Sequence, residues 1–73
     1  MLEQGEVLTL NDNKKYSVVF VTKYNNKDYV YLIDQDDYLN NMFCEYKDNK
    51  LETVNNAEII EELLKLFAQT NNI

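Results

Sequence analysis

The sequence predicts an α+β domain: a four- to five-stranded antiparallel β-meander with one C-terminal amphipathic α-helix packed on one face. Two observations predict it. Through the first two thirds of the chain apolar residues recur with a period near two, and in the last quarter the period changes to near 3.6. The apolar runs are also separated by short clusters of Asn and Asp, which tolerate turn geometry and bond their own backbone. Strands followed by a helix segregated to one side define this class. The 73 residues hold no repeat and no linker. They read as a single small domain over 1–73, with the sheet at about 6–54 and the helix at about 56–69.

Taken in order, residues 6–10 (Glu-Val-Leu-Thr-Leu) form a first short strand, and Asn11-Asp12-Asn13-Lys14 turns the chain. Residues 15–24 carry the strongest strand signal, and residues 27–34 come after Asn25-Asn26. A two-residue turn there sets a register. Tyr24 faces Lys27, Lys23 faces Asp28, and the count continues through Phe20–Tyr31 to Val19–Leu32 and Val18–Ile33. Alternation then places Val19, Val21, Val30 and Leu32 on one face. The other face holds Tyr16, Val18, Phe20, Tyr29, Tyr31 and Ile33. The helix is expected on the aliphatic face, which leaves the tyrosine-rich face to be explained.

Residues 34–41 are polar and acidic without sustained period and read as a loop. Residues 42–47 are a fourth strand and 51–54 a fifth. A two-residue turn at Asp48-Asn49 sets Glu45 against Glu52 and Lys47 against Lys50, so a three-residue turn with a bulge is expected instead. The helix begins near Asn55 or Asn56. Asn55 as N-cap places Glu58 at the third helical position, in a capping-box-like arrangement. Ile59, Ile60, Leu63, Leu64, Leu66 and Phe67 form its apolar stripe, and its end frays over residues 69–72.

Composition excludes more than it assigns. The chain has no histidine, no arginine, no proline, one cysteine and one glycine. No Gly-rich phosphate loop is possible, and Cys44 has no base to activate it and no second soft ligand for a metal. Ser17 is the sole serine. The expectation is therefore a protein that is not an enzyme and holds no cofactor and no metal. Thirteen acids face seven lysines, a net charge of −6. Such a surface is repelled by phosphate backbones and anionic lipid, so neither direct nucleic-acid binding nor membrane association is expected. No basic, apolar leader and no run of about 18–20 apolar residues is present, which points to the cytoplasm.

The element order, the hairpin Lys23-Tyr24-Asn25-Asn26-Lys27-Asp28-Tyr29-Val30-Tyr31-Leu32, the acidic Asp34-Gln35-Asp36-Asp37, the segment Glu45-Tyr46-Lys47-Asp48-Asn49-Lys50-Leu51-Glu52 and the closing Glu58-Ile59-Ile60-Glu61-Glu62-Leu63-Leu64-Lys65-Leu66-Phe67 carry a resemblance. Over about residues 6–68 the chain resembles the small acidic proteins of low-GC Gram-positive bacteria called domain of unknown function 1292. The resemblance implies this fold and a cytoplasmic location, and it transfers no site residue. Typical members carry a longer acidic run and often a Trp-containing acidic segment entering the helix, where this chain has Asn56-Ala57-Glu58-Ile59.

Two constellations remain. On the calcium-loop template Asp34, Asp36 and Glu45 take positions one, three and twelve. Leu39 stands where the turn requires glycine, so the segment reads as a solvated acidic loop. The second is aromatic: Phe20, Tyr29 and Tyr31 read as surface anchors for a protein partner or for self-association as a homodimer, with Asp34, Asp36 and Asp37 at the rim. The expected role is a protein-binding or regulatory module. The alternative is a phage-type acidic inhibitor or nucleic-acid mimic acting on a DNA-binding enzyme, motivated by the charge.

Overall fold

Each apolar run becomes a strand. In a computed structural model that describes residues 2–71, the elements are β1 (Val7–Thr9), β2 (Lys15–Tyr24), β3 (Lys27–Asp34), β4 (Asn41–Lys47), β5 (Lys50–Thr53) and α1 (Ala57–Asn71). The five strands form one antiparallel sheet in the order β1-β2-β3-β4-β5. This is the expected α+β meander with one helix. Asn72, assigned above to the fraying helix end, lies outside the described residues, and the helix itself continues to Asn71.

Turn chemistry sets the two tight hairpins. Asn25 and Asn26 have φ of 51° and 63°, and Asp48 and Asn49 have φ of 52° and 63°. Two consecutive left-handed residues make the turn whose twist matches that of its strands. The second hairpin therefore corrects the expectation of a bulged three-residue turn. It takes the two-residue turn, with Lys47 opposite Lys50 and Glu45 opposite Glu52. Lys47, Lys50 and Glu52 are exposed and Glu45 is half-buried; like charges so placed cost on the order of 0.2–1 kcal/mol, less than splaying the strands, and Lys27 also approaches Glu45 at 4.0 Å.

The central hairpin keeps the expected register from Tyr24–Lys27 to Phe20–Tyr31, then shifts. A bulge between Val18 and Phe20 pairs Val18 with Leu32 and Ser17 with Ile33. One extra residue exchanges the faces beyond it. Tyr16 and Val18 therefore join Val30, Leu32 and Cys44 in one buried cluster, with Leu2, Leu8, Leu10, Val21, Met42 and Leu51 packed around it. Phe20, Tyr29 and Phe43 lie on the other face with Leu63 of α1, flanked by Ile59, Ile60, Leu66 and Phe67.

The helix thus covers the aromatic face, where the aliphatic one was expected. The Phe67 ring meets Phe20 at 5.3 Å and Tyr31 at 5.1 Å, both edge-on, the geometry that aromatic quadrupoles favour. The aliphatic face needs no helix. The bulge bends β2, and β1 and the residues before it supply leucines to that side. Asn56 caps the helix, its Oδ1 accepting from the backbone N–H of Glu58 at 2.9 Å and of Ile59 at 3.2 Å. The cap sits one residue later than Asn55, so Ile59 takes the third helical position and no capping box forms.

Candidate protein-contact site

The six residues expected to form a contact surface are not one surface. Phe20 is 5% exposed and Tyr29 2% exposed, both under α1. Tyr31 is half-buried and stacks on Phe43 at 4.3 Å. These rings form the helix–sheet core, because a helix carrying Leu63 and Phe67 buries more apolar area against rings than it does against valines. They do not serve as free anchors. Asp34 is also buried, at 3% exposure, whereas Asp36 and Asp37 are exposed.

Asp34 ends β3 and organises the loop beyond it. Its Oδ1 accepts from the Asp36 N–H at 2.9 Å and its Oδ2 from the Asn40 amide at 3.1 Å. The same amide donates to the Tyr16 hydroxyl at 3.0 Å, and that hydroxyl donates to Asp12 Oδ2 at 2.8 Å. Asp12 Oδ1 accepts from the Lys14 N–H at 2.9 Å. One chain of bonds therefore ties the β1–β2 turn to the β3–β4 loop through a fully buried tyrosine. The Asp36 N–H, then the Asn40 amide, hold the Asp34 carboxyl below its ordinary range. The Lys14 N–H, then the Tyr16 hydroxyl, do the same for Asp12. Donation to Asp12, then burial, pushes the Tyr16 hydroxyl up.

The loop hung on this network is itself densely bonded. Asp37 Oδ1 accepts from the Leu39 N–H at 3.1 Å, and its carbonyl accepts from the Asn40 N–H at 2.9 Å. The Asn41 amide donates to the carbonyls of Tyr38 and Leu39 at 3.2 and 3.3 Å. Gln35 N–H reaches back to the Lys15 carbonyl at 2.9 Å. With the backbone so occupied, the Tyr38 and Leu39 side chains stand out, 76% and 77% exposed. Asp36 and Asp37 lie immediately before them. An adjacent aromatic–aliphatic pair on a fixed backbone, next to two exposed carboxylates, is the most exposed apolar feature among the described residues.

The acids of this loop are among the residues expected at the contact surface, and its apolar pair, Tyr38 and Leu39, is not. The signal was present. Tyr38 and Leu39 interrupt a stretch with neither strand nor helix period, so no core element claims them.

The remaining chemistry is sparse. The calcium-template residues are not brought together: Glu45 pairs across from Tyr29 at the far end of β3 from Asp34. Cys44 is buried, and burial raises its thiol pKa, the reverse of activation. A hollow of 790 Å³ opens on the sheet face away from α1, walled by Leu2, Leu8, Leu10, Met42, Cys44 and Leu51. No helix among the described residues is long and apolar enough to cross a membrane. No family model, curated protein or solved structure matches the chain.

Proposed function

We propose that the chain is a small non-enzymatic protein-binding module that engages its partner through Tyr38 and Leu39, with Asp36 and Asp37 at the rim. The exposure of that pair on a bonded loop supports the reading. Tyr and Leu bring apolar area, and a loop already fixed loses little entropy on docking. The fitting partner is a protein with an apolar pocket bordered by Lys or Arg, since the acids and the net charge of −6 favour a cationic rim. The mimic reading draws less support. Glu58, Glu61 and Glu62 lie on α1, Asp48 on a turn and Asp36 and Asp37 on the loop, and Lys65 pairs with both Glu61 and Glu62. That scatter makes no phosphate-like row.

The test compares capture from host lysate by the wild type and by Tyr38→Ala/Leu39→Ala, at low and high salt. The expected result is a protein retained at high salt by the wild type and lost by the double variant. Capture unchanged by the double variant would refute this site. Capture of a nucleic-acid enzyme, abolished by salt and indifferent to the loop, would establish the mimic.

A further inference from the structure

The like-charge pairs of the β4–β5 hairpin point to a second copy of the chain. Among the described residues β5 pairs with β4 alone, so no strand of this sheet lies on its other side, which borders the hollow shared with β1. The Val54 N–H donates to the Phe43 carbonyl at 2.9 Å. In an antiparallel ladder bonded and non-bonded pairs alternate. Glu45–Glu52 and Lys47–Lys50 are therefore bonded pairs, and Cys44–Thr53 and Tyr46–Leu51 are not. The backbone N–H and C=O of Leu51 and Thr53 thus point away from β4, ready for another strand.

We propose that β5 pairs antiparallel with β5 of a second copy, about a twofold axis between the two Leu51 residues. The charges choose this register. Leu51 against Leu51 exchanges two backbone bonds and sets Lys50 of each copy against Glu52 of the other. The next bonded register, Leu51 against Thr53, sets Glu52 against Glu52. Lys50 and Glu52 are both exposed, and alternation puts both on the sheet face away from Leu51. An edge lysine normally deters strand addition; here an acid two residues on gives it a partner in the same strand of the other copy. The arrangement also accounts for a conflict that one copy leaves standing. Lys50 and Glu52 face like charges in their own hairpin and opposite charges across the proposed edge. The contact is isologous and closes at two copies. β1 carries no charged residue and offers no comparable register signal. The inference is independent of the Tyr38–Leu39 reading, and it makes that module bivalent.

Four residues per strand make a small interface, so the dimer is weak and concentration-dependent. Sedimentation velocity from micromolar to millimolar protein should show the mass rising from 8.7 kDa toward twice that value. Lys50→Glu alone and Glu52→Lys alone should each weaken association by about tenfold or more. The two proteins mixed should associate, because every cross-edge pair is then opposite in sign. The double swap Lys50→Glu/Glu52→Lys should dimerise like the wild type. The single variants move the net charge in opposite directions, so a general charge effect would weaken one and strengthen the other. Neither threatens the fold, because each converts a like pair of the hairpin into an opposite one. A wild type monomeric throughout, or a dimer indifferent to these changes, would overturn the proposal.

Discussion

Leu63 and Leu64 are adjacent in sequence, and the helical stripe read from the sequence includes both. The structure separates them. Leu63 is 0% exposed in the cluster with Phe20, Tyr29 and Phe43, whereas Leu64 is 46% exposed. Leu63→Ala removes three carbons from a dry site. At about 0.8 kcal/mol per buried CH₂ that is roughly 2.4 kcal/mol of transfer free energy. The space left between helix and sheet adds to it, giving about 3 kcal/mol, within the range of buried Leu→Ala changes. A chain of 73 residues has a total stability of roughly 4–11 kcal/mol. A core this small lies toward the lower end. The variant should therefore lose a large fraction of its stability, with Tm down by about 12–24 °C. Leu64→Ala should change stability by no more than about 0.5 kcal/mol. Urea denaturation followed by circular dichroism and tyrosine fluorescence measures both, and the absence of tryptophan leaves the tyrosine signal clean. A Leu63→Ala cost below about 1 kcal/mol, or equal costs at the two positions, would refute the burial of Leu63, and not Leu64, between helix and sheet.

Other perturbations have definite expected outcomes. Asn56→Ala should cost about 1 kcal/mol through loss of the cap, while Asn55→Ala should cost far less; equal effects would return the cap to Asn55. Asn26→Gly should stabilise by about 0.5 kcal/mol in urea titration, because glycine takes the left-handed turn position without steric penalty. Stability should also fall at both ends of the pH scale. Asp12 and Asp34 titrate below their ordinary 3.8 in the fold, so their contribution is present above about pH 4 and is lost as pH falls through the folded values. Tyr16 and Tyr29 are raised above 10.0 and Cys44 above 9.0. The unfolded chain releases these protons first, so stability declines as pH rises past about 9. Thermal melts across pH check this, and an acid limb unchanged in Asp34→Asn would show that Asp34 does not contribute to it.

Element order and the bounds of β2 and β3 were legible in the sequence because period and turn residues are local properties. The side of the sheet that the helix covers was not. It depends on the extra residue between Val18 and Phe20, and Val18-Val19-Phe20-Val21 reads as an uninterrupted apolar run with no glycine to mark a bulge. Counting straight through it assigns Tyr16 and Val18 to the face of Phe20, Tyr29 and Tyr31, whereas they pack with Val30 and Leu32. The β4–β5 turn was misread for a different reason. Its like-charge pairs argue for a bulge, but such pairs near the surface are worth little beside the twist preference of a hairpin. The candidate site is half legible: Asp36 and Asp37 stand out as charge, and the lack of any period around Tyr38 and Leu39 marks them as outside a core element, while their 76% and 77% exposure is a property of the fold.

Where this chain can act depends on how it is filled. A five-stranded sheet of this size normally leaves one face to solvent, and a tyrosine-rich face would be the natural place to bind a partner. Here α1 covers that face, and the sheet's own curl, with β1 and the chain before it, covers much of the other. The two surfaces proposed above are places that neither layer reaches: the loop end beyond Asp34, and the outer edge of β5. The two differ in physical kind. The loop offers side chains on a backbone whose hydrogen bonds are largely spent, which suits insertion into a pocket. The edge offers backbone groups that remain unspent, which suits strand addition. The loop precedes Asn41 at the start of β4, whereas β5 lies beside the second half of that strand, Cys44 to Lys47. If both proposals hold, strand pairing through β5 uses none of the residues of the Tyr38–Leu39 loop.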